Sequence, residues 1–218
     1  MSCNKFEPWS RAETERGSAL IEFVLCFGLF WIPLFLGASQ FGLELIQAIQ
    51  VTQVCRDAGH MYAYGIDFSQ SSNQYLLASF APSLDVDPTG VGGRSVVILS
   101  TVQYVDDKMC QAHGYTSTCP NSGVLVFTNQ TIVGNSGLHA SVYGTPKTSS
   151  GTVQPGSPTT SGYLNASSAV VQGYPNITLT SGSTGQQQYG YIAEMYSESN
   201  SLNWYLAGNP WVSAVSFF

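Results

Sequence analysis

The chain has 218 residues, only 9% of them charged, and a formal net charge of −6. This length allows one membrane helix and one further domain of about 150 residues. Low charge combined with 12 Tyr, 11 Phe and 4 Trp is not the composition of a disordered chain. The few Lys and Arg residues form no basic patch, so nucleic-acid binding is not expected.

The first predicted element is an apolar helix. From Phe23 to Leu43 there are 21 residues without a charge, which is enough for one helix across a bilayer. Glu22 lies at the start of this segment, where an unpaired carboxylate costs about 2.5–3.5 kcal/mol on insertion scales. Three Lys and Arg residues precede the segment, whereas the first one after it is Arg56. By the positive-inside rule, this asymmetry predicts a cytoplasmic amino terminus and an exported remainder.

The residues around the start of this helix form a recognisable pattern. A polar leader ends at Gly17, four residues separate it from Glu22, and Phe23 follows at the head of the apolar run. Pro33 lies inside the apolar segment, and Arg56-Asp-Ala-Gly59 comes after it. This pattern resembles a type IV prepilin signal, and it looks most like that of the TadE-like pseudopilins of Tad (tight adherence)/Flp pili.

The resemblance covers roughly residues 16–65 and implies a function. It implies that a prepilin peptidase cuts between Gly17 and Ser18 on the cytoplasmic side of a bacterial inner membrane. It also implies that Glu22, with Phe23 beside it, sets subunit register, the carboxylate pairing with the amino terminus of a neighbouring subunit. Both charges would otherwise be unpaired in a low dielectric. The implied partners are the peptidase, other pilin or pseudopilin subunits, an inner-membrane assembly platform and membrane lipid.

Other interpretations of the apolar segment stay open. An uncleaved signal-anchor helix would make the chain a permanently membrane-anchored binding protein of the envelope. An anchored periplasmic enzyme would need a site that gathers His113 or His139 with acidic residues. A secretory signal peptide is disfavoured because its apolar region usually spans only about 7–15 residues. Lipid attachment at Cys26 is disfavoured because Leu25 directly precedes it.

The helix is expected to continue beyond the membrane, from about Ser18 to Tyr64. Residues 18–43 form its spanning part and residues 44–64 a helical extension, in which polar residues recur at spacings of three and four. Pro33 predicts a kink or a local loosening of the helix. The polar positions of the extension are Gln47, Gln50, Gln53, Asp57 and His60.

After the helix, residues 65–218 are predicted to form a small β-rich extracytoplasmic domain with an antiparallel sheet. The fold class is therefore α+β. Residues 145–162 contain Ser, Thr, Gly and Pro but little apolar surface, which predicts a flexible loop. Apolar and β-branched runs of residues predict an antiparallel hairpin followed by two late strands. These strands are Val96–Val105, Gly123–Val133, Tyr189–Tyr196 and Trp211–Phe218.

Cys110 and Cys119 lie in the predicted connection of the hairpin, where an oxidising compartment favours a disulfide. Cys110-x-x-His113 with Cys119 also offers three zinc ligands, and His139 stays open as a fourth. The disulfide is favoured, and neither a metal nor another cofactor is expected. Since no nucleophile elbow, P-loop or His-Glu-x-x-His motif is present, we assign no catalytic residue and expect no enzymatic activity.

Overall fold

The structure is a computed structural model that describes residues 11–80, 82–148, 151–152, 161–174, 189–199 and 211–218. It divides the chain into two compact units, residues 1–45 and residues 46–218. The secondary structure consists of a long apolar amino-terminal helix and a four-stranded antiparallel sheet. This arrangement confirms the predicted α+β class.

Helix α1 extends from Arg11 to Ala63. It therefore begins seven residues before the expected start near Ser18. The physical reason is local: Arg, Ala and Glu, which are good helix formers, dominate the residues before Gly17. At the other end, Gly65 adopts a φ of 86°, its N–H bonds to the carbonyl of Tyr62, and the N–H of Ile66 bonds to the carbonyl of Met61. These two bonds form a Schellman motif, which ends the helix where Gly favours a left-handed backbone.

Two shorter helices follow α1, and both lie in the second unit. Helix α2 covers Ser71–Phe80, and helix α3 covers Asp107–Ala112. The carboxylate of Asp106 caps α3 by accepting a hydrogen bond of 2.7 Å from the N–H of Met109. The described part of the chain also contains three short 3-10 helices, at Pro82–Leu84, Ser161–Leu164 and Ser167–Ala169.

The main sheet has the strand order β2-β1-β5-β6, and every neighbouring pair is antiparallel. Its two central strands and both edge strands were predicted from the sequence, with ends that shift by one or two residues. The predicted hairpin is confirmed, and a bulge interrupts its register between Thr101 and Val102. The strands are β1 Ser95–Tyr104, β2 Leu125–Gly134, β5 Tyr189–Glu198 and β6 Trp211–Phe217.

The predicted flexible loop 145–162 contains two very short strands, β3 at Lys147–Thr148 and β4 at Gly151–Thr152, which pair with each other. Residues 149–150 and 153–160 of this loop lie outside the described residues. The flexibility of the loop therefore stays a prediction.

The main core of the second unit lies between the end of α1 and one face of the sheet. The α1 side chains in this core recur every three or four residues, as expected for one buried helix face. Gln53, Asp57 and His60, three of the predicted polar positions, are exposed instead. Gln47 donates hydrogen bonds from Nε2 to the hydroxyl of Ser197 and to the carbonyl of Glu198, both at 3.1 Å. The buried α1 residues are Val51, Val54, Cys55, Ala58 and Tyr62, and they pack with Val97, Leu99, Ala193 and Met195.

Candidate functional site

The first unit contains an apolar helical surface that the described residues leave uncovered. One helix is long and apolar enough to cross a membrane, with a mean hydropathy of 2.3. No residue in the most apolar stretch of this helix is buried by the described residues. Leu20 is 66% exposed, Phe35 is 70% exposed and Phe41 is 75% exposed. Large apolar side chains on every side of a helix require an apolar environment around it.

Glu22 lies on this surface, and its side chain is exposed. It follows Ser18 by four residues in a continuous helix, so the two residues are about 6 Å apart along the axis and lie on the same face. A chain that begins at Ser18 would therefore carry its ammonium group one turn from its own carboxylate. At that new helix start, the carboxylate would also interact favourably with the helix dipole.

Phe23 is 68% exposed and begins a row of aromatic side chains along α1. Its ring centroid lies 5.9 Å from that of Phe27, which in turn lies 5.7 Å from that of Trp31. The spacing of four residues places these rings on one face of the helix. Only Phe23 was selected from the sequence, although the repeated spacing of aromatic residues could have identified the whole row. These three rings offer an elongated aromatic surface beside Glu22.

Gly17 and Ser18 both lie inside α1, because the helix begins at Arg11. The predicted cleavage bond is thus helical in this structure rather than at the start of the helix. A peptidase must unwind the helix locally to reach such a bond. Gly17 lowers the cost of unwinding, since Gly is about 1 kcal/mol less favourable than Ala inside a helix.

The predicted disulfide joins Cys110 of α3 to Cys119, with 5.4 Å between their Cα atoms. Both residues belong to a small buried cluster that also includes Val105, Tyr163 and Leu164. The bond closes a loop within the connection between β1 and β2. Because Cys110 and Cys119 are bonded to each other, neither is a free thiol that could bind zinc, and His113 alone remains of the three predicted ligands.

The two histidines considered for zinc make separate aromatic contacts. The ring of His113 lies 6.4 Å from that of Tyr163, whereas the ring of His139 is stacked 3.8 Å from that of Tyr196. Among the described residues, no group of three His, Cys, Asp or Glu side chains is placed to hold a metal ion.

A buried carboxylate on β5 is a polar centre that the sequence analysis missed. Glu194 is fully buried, and it accepts hydrogen bonds from the hydroxyl of Ser141, the N–H of Val142 at 3.0 Å and the hydroxyl of Tyr196 at 2.8 Å. Burial, together with this bond and the negative charge of Glu194, raises the pKa of Tyr196 above its usual value. In the sequence, this Glu stands alone between the apolar residues Ala193 and Met195, and that isolated charge could have indicated a buried polar centre. The arrangement fastens the segment around Ser141 to the sheet.

The second unit also has a cavity at the end of α1. Its lining combines two tyrosine rings with a carboxylate, an amide and a hydroxyl, and it was not foreseen from the sequence. The residues that line it include Tyr62, Asp67, Thr101, Asn129 and Tyr191.

The site residues selected from the sequence thus fall into two separate groups. Gly17, Ser18, Glu22 and Phe23 follow one another on the first half of α1, and Cys110 and Cys119 lie in the second unit.

Comparison of the chain with family models, with curated proteins and with solved structures gives no match.

Proposed function

We propose that this protein is a minor pilin or pseudopilin-like structural component of a bacterial Tad/Flp pilus or a related secretion apparatus. In this proposal a prepilin peptidase removes residues 1–17 by cutting after Gly17. The helix anchors the protein in the inner membrane with a cytoplasmic amino terminus until assembly. The remaining chain then packs with neighbouring subunits through its apolar helix.

The observation that carries the proposal is the exposed apolar surface of α1 from Leu20 to Leu43. Burial of one large apolar side chain contributes about 1.5–3 kcal/mol, and more than ten such side chains are exposed in this stretch. Such a surface is stable only against lipid or against similar helices. A pilin-like subunit uses both environments in succession, since it waits in the membrane and then packs in a fibre.

Glu22 supports an assembly role rather than simple anchoring. An anchor has no use for a carboxylate one turn inside its apolar segment, where it lowers membrane stability. A new ammonium group at Ser18 would place an opposite charge one helical turn from the carboxylate. In the proposal, this pair forms between neighbouring subunits and sets how far one helix is displaced along the next.

The second unit supports the proposal through its composition and its architecture. A disulfide and a low content of charged residues suit a domain exposed to an oxidising compartment. In the proposal, this unit makes packing or adhesion contacts outside the membrane and performs no catalysis.

The test is intact-mass and amino-terminal peptide analysis of the protein extracted from the membranes of its native host. We expect the mature chain to begin at Ser18. A Gly17→Ser variant should keep residues 1–17, and Gly37→Ser is the matched control. Apart from the backbone of its own helix and its chain neighbours, no described atom lies within 4 Å of a Cβ built at Gly37, so that variant should be cut normally. An intact amino terminus in the unmodified protein would contradict the proposal.

A second candidate function is a permanently membrane-anchored binding protein of the envelope. The observation that favours it is the continuity of α1 from Arg11 through Gly17, as an uncleaved helix would have. This candidate predicts that residues 1–17 are retained and that Glu22→Ala has no effect on the protein's activity. The same mass measurement therefore separates the two functions.

A further inference from the structure

The floor of the cavity at the end of α1 is a row of three side chains across the sheet. Thr101 of β1 lies directly opposite Asn129 of β2 and Tyr191 of β5. Side chains two residues apart on a strand lie on the same face of the sheet. The row therefore lies on the face that packs against α1. Leu99 and Ala193 are the neighbouring positions beneath the helix. The row is accessible because α1 ends here.

Two walls rise from this floor. The ring of Tyr62 meets the ring of Tyr191 at 87° with 5.7 Å between centroids, and the hydroxyl of Thr101 donates a 3.0 Å hydrogen bond to that of Tyr62. The turn that follows α1, from Gly65 to Ser69, also lines the cavity. The cavity is open to solvent on one side and measures about 320 Å³, which is room for a small organic group.

The charged group of the cavity is the carboxylate of Asp67. The Asp67 carboxylate accepts hydrogen bonds from the N–H of Ser69 at 2.9 Å and the amide of Gln70 at 3.4 Å. The hydrogen bonds from Ser69 lower the pKa of Asp67, so this group is anionic at neutral pH. Among the described residues that line the cavity, none is Lys or Arg.

From this geometry we propose that the cavity binds a small organic cation, an ammonium group such as that of a lysine side chain or a free amine. A cation contacts aromatic rings favourably, and the ring of Tyr191 is partly exposed at the cavity. The carboxylate of Asp67 supplies the opposite charge. The net charge of −6 adds a long-range attraction for cations. This site does not depend on the function proposed for α1.

The test uses the full chain in detergent micelles and measures binding by titration calorimetry. The probes are Nα-acetyl-lysine amide, its uncharged analogue Nα-acetyl-norleucine amide, methylammonium and glucose. We expect the lysine derivative to bind and the norleucine derivative to bind at least about tenfold more weakly, because the ammonium contact is lost. Tighter binding of the lysine derivative than of methylammonium would identify a polypeptide side chain as the source of the cation. Equal affinities would identify a free amine.

Two substitutions locate the site. Asp67→Asn and Tyr191→Leu should each weaken binding of the lysine derivative by about tenfold. Asp107→Asn is the matched control, because it removes the same charge from an exposed position outside the cavity, and it should change affinity less than about twofold. Far-ultraviolet circular dichroism checks that each variant is folded.

Four results would overturn the proposal. These are equal affinity for the lysine and norleucine derivatives, binding of glucose alone, equal weakening by Asp107→Asn and Asp67→Asn, or no binding of any probe at roughly 10 mM.

Discussion

Gly59 of α1 and Phe218 lie in such close contact that a side chain at position 59 has no space. A Cβ atom built at Gly59 would lie 2.9 Å from Cζ of Phe218 and 2.9 Å from Cβ of Ala193. Residue 218 is also held to β5, because its backbone exchanges two 3.0 Å hydrogen bonds with Tyr191. The bare backbone of Gly59 therefore allows α1 to approach the sheet closely.

Gly59→Ala should destabilise the second unit by about 1–3 kcal/mol, because the added methyl group overpacks the core. This loss should exceed any gain from the better helix propensity of Ala, which is about 1 kcal/mol. Chemical unfolding of the full chain in detergent, followed by tryptophan fluorescence, measures the difference. Gln53→Ala at an exposed position of the same helix is the control and should shift stability by less than about 0.5 kcal/mol. Equal effects of the two substitutions would contradict the packing argument.

Glu194→Ala should reduce the free energy of unfolding by about 3 kcal/mol. The substitution leaves the hydroxyl of Tyr196 and the N–H of Val142 without their acceptor, and each such group costs about 1–3 kcal/mol when buried. Tyr196→Phe removes a single donor and should cost only about 1 kcal/mol. The same unfolding experiment compares the two variants. If the two losses are alike, Glu194 does not hold the segment around Ser141 to the sheet.

Alkaline pH should also weaken this region. Burial, the hydrogen bond to Glu194 and its charge raise the pKa of Tyr196 in the folded protein above the unfolded value of about 10. A raised folded pKa means that the stabilisation is complete below pH 10 or so and is lost as the pH rises further. Tyrosinate absorbance should show several tyrosines that ionise late in the folded protein, and Tyr196→Phe should remove one of them. A titration unchanged by that substitution would assign the late ionisation to another tyrosine.

Reduction of the disulfide should destabilise the second unit by about 2–3 kcal/mol. The loss is limited to this size because the loop between Cys110 and Cys119 is short, and a short loop restricts the unfolded chain only a little. The double substitution Cys110→Ser and Cys119→Ser should have the same effect without reductant. Thermal unfolding with and without dithiothreitol measures it. Cys26→Ser is the control because Cys26 is a free and exposed thiol. Unfolding that is insensitive to dithiothreitol would contradict a structural role for the bond.

Glu22→Ala should leave membrane insertion intact and abolish fibre assembly in the host. Insertion should even improve, since removal of the carboxylate eliminates a cost of about 2.5–3.5 kcal/mol. Membrane fractionation measures insertion, and electron microscopy of surface fibres measures assembly. Glu22→Asp keeps the charge and is the matched control, with partial assembly expected. Normal fibres on cells with Glu22→Ala would count against the assembly role.

Much of the fold was predictable because its elements are defined by local patterns. An uncharged apolar run predicts the amino-terminal helix, and the β-branched segment Val96–Val105 predicts a strand within a residue of its observed ends. The pairing of Cys110 with Cys119 followed from their position between two predicted strands. The helix begins before Ser18 because the polar residues before Gly17 are themselves good helix formers, which the apolar pattern does not reveal.

The sequence by itself determined the apolar helix with Glu22 at its head, the antiparallel hairpin and the disulfide, because each depends on residues near one another in the chain. Only the tertiary structure decided that Glu194 is buried under Ser141, that Gly59 meets Phe218 and that Thr101, Asn129 and Tyr191 share one cavity. Those contacts depend on strand order and register, which bring together residues far apart in sequence. Hydrophobic periodicity shows which face of an element is buried, but it does not show which distant residue covers that face.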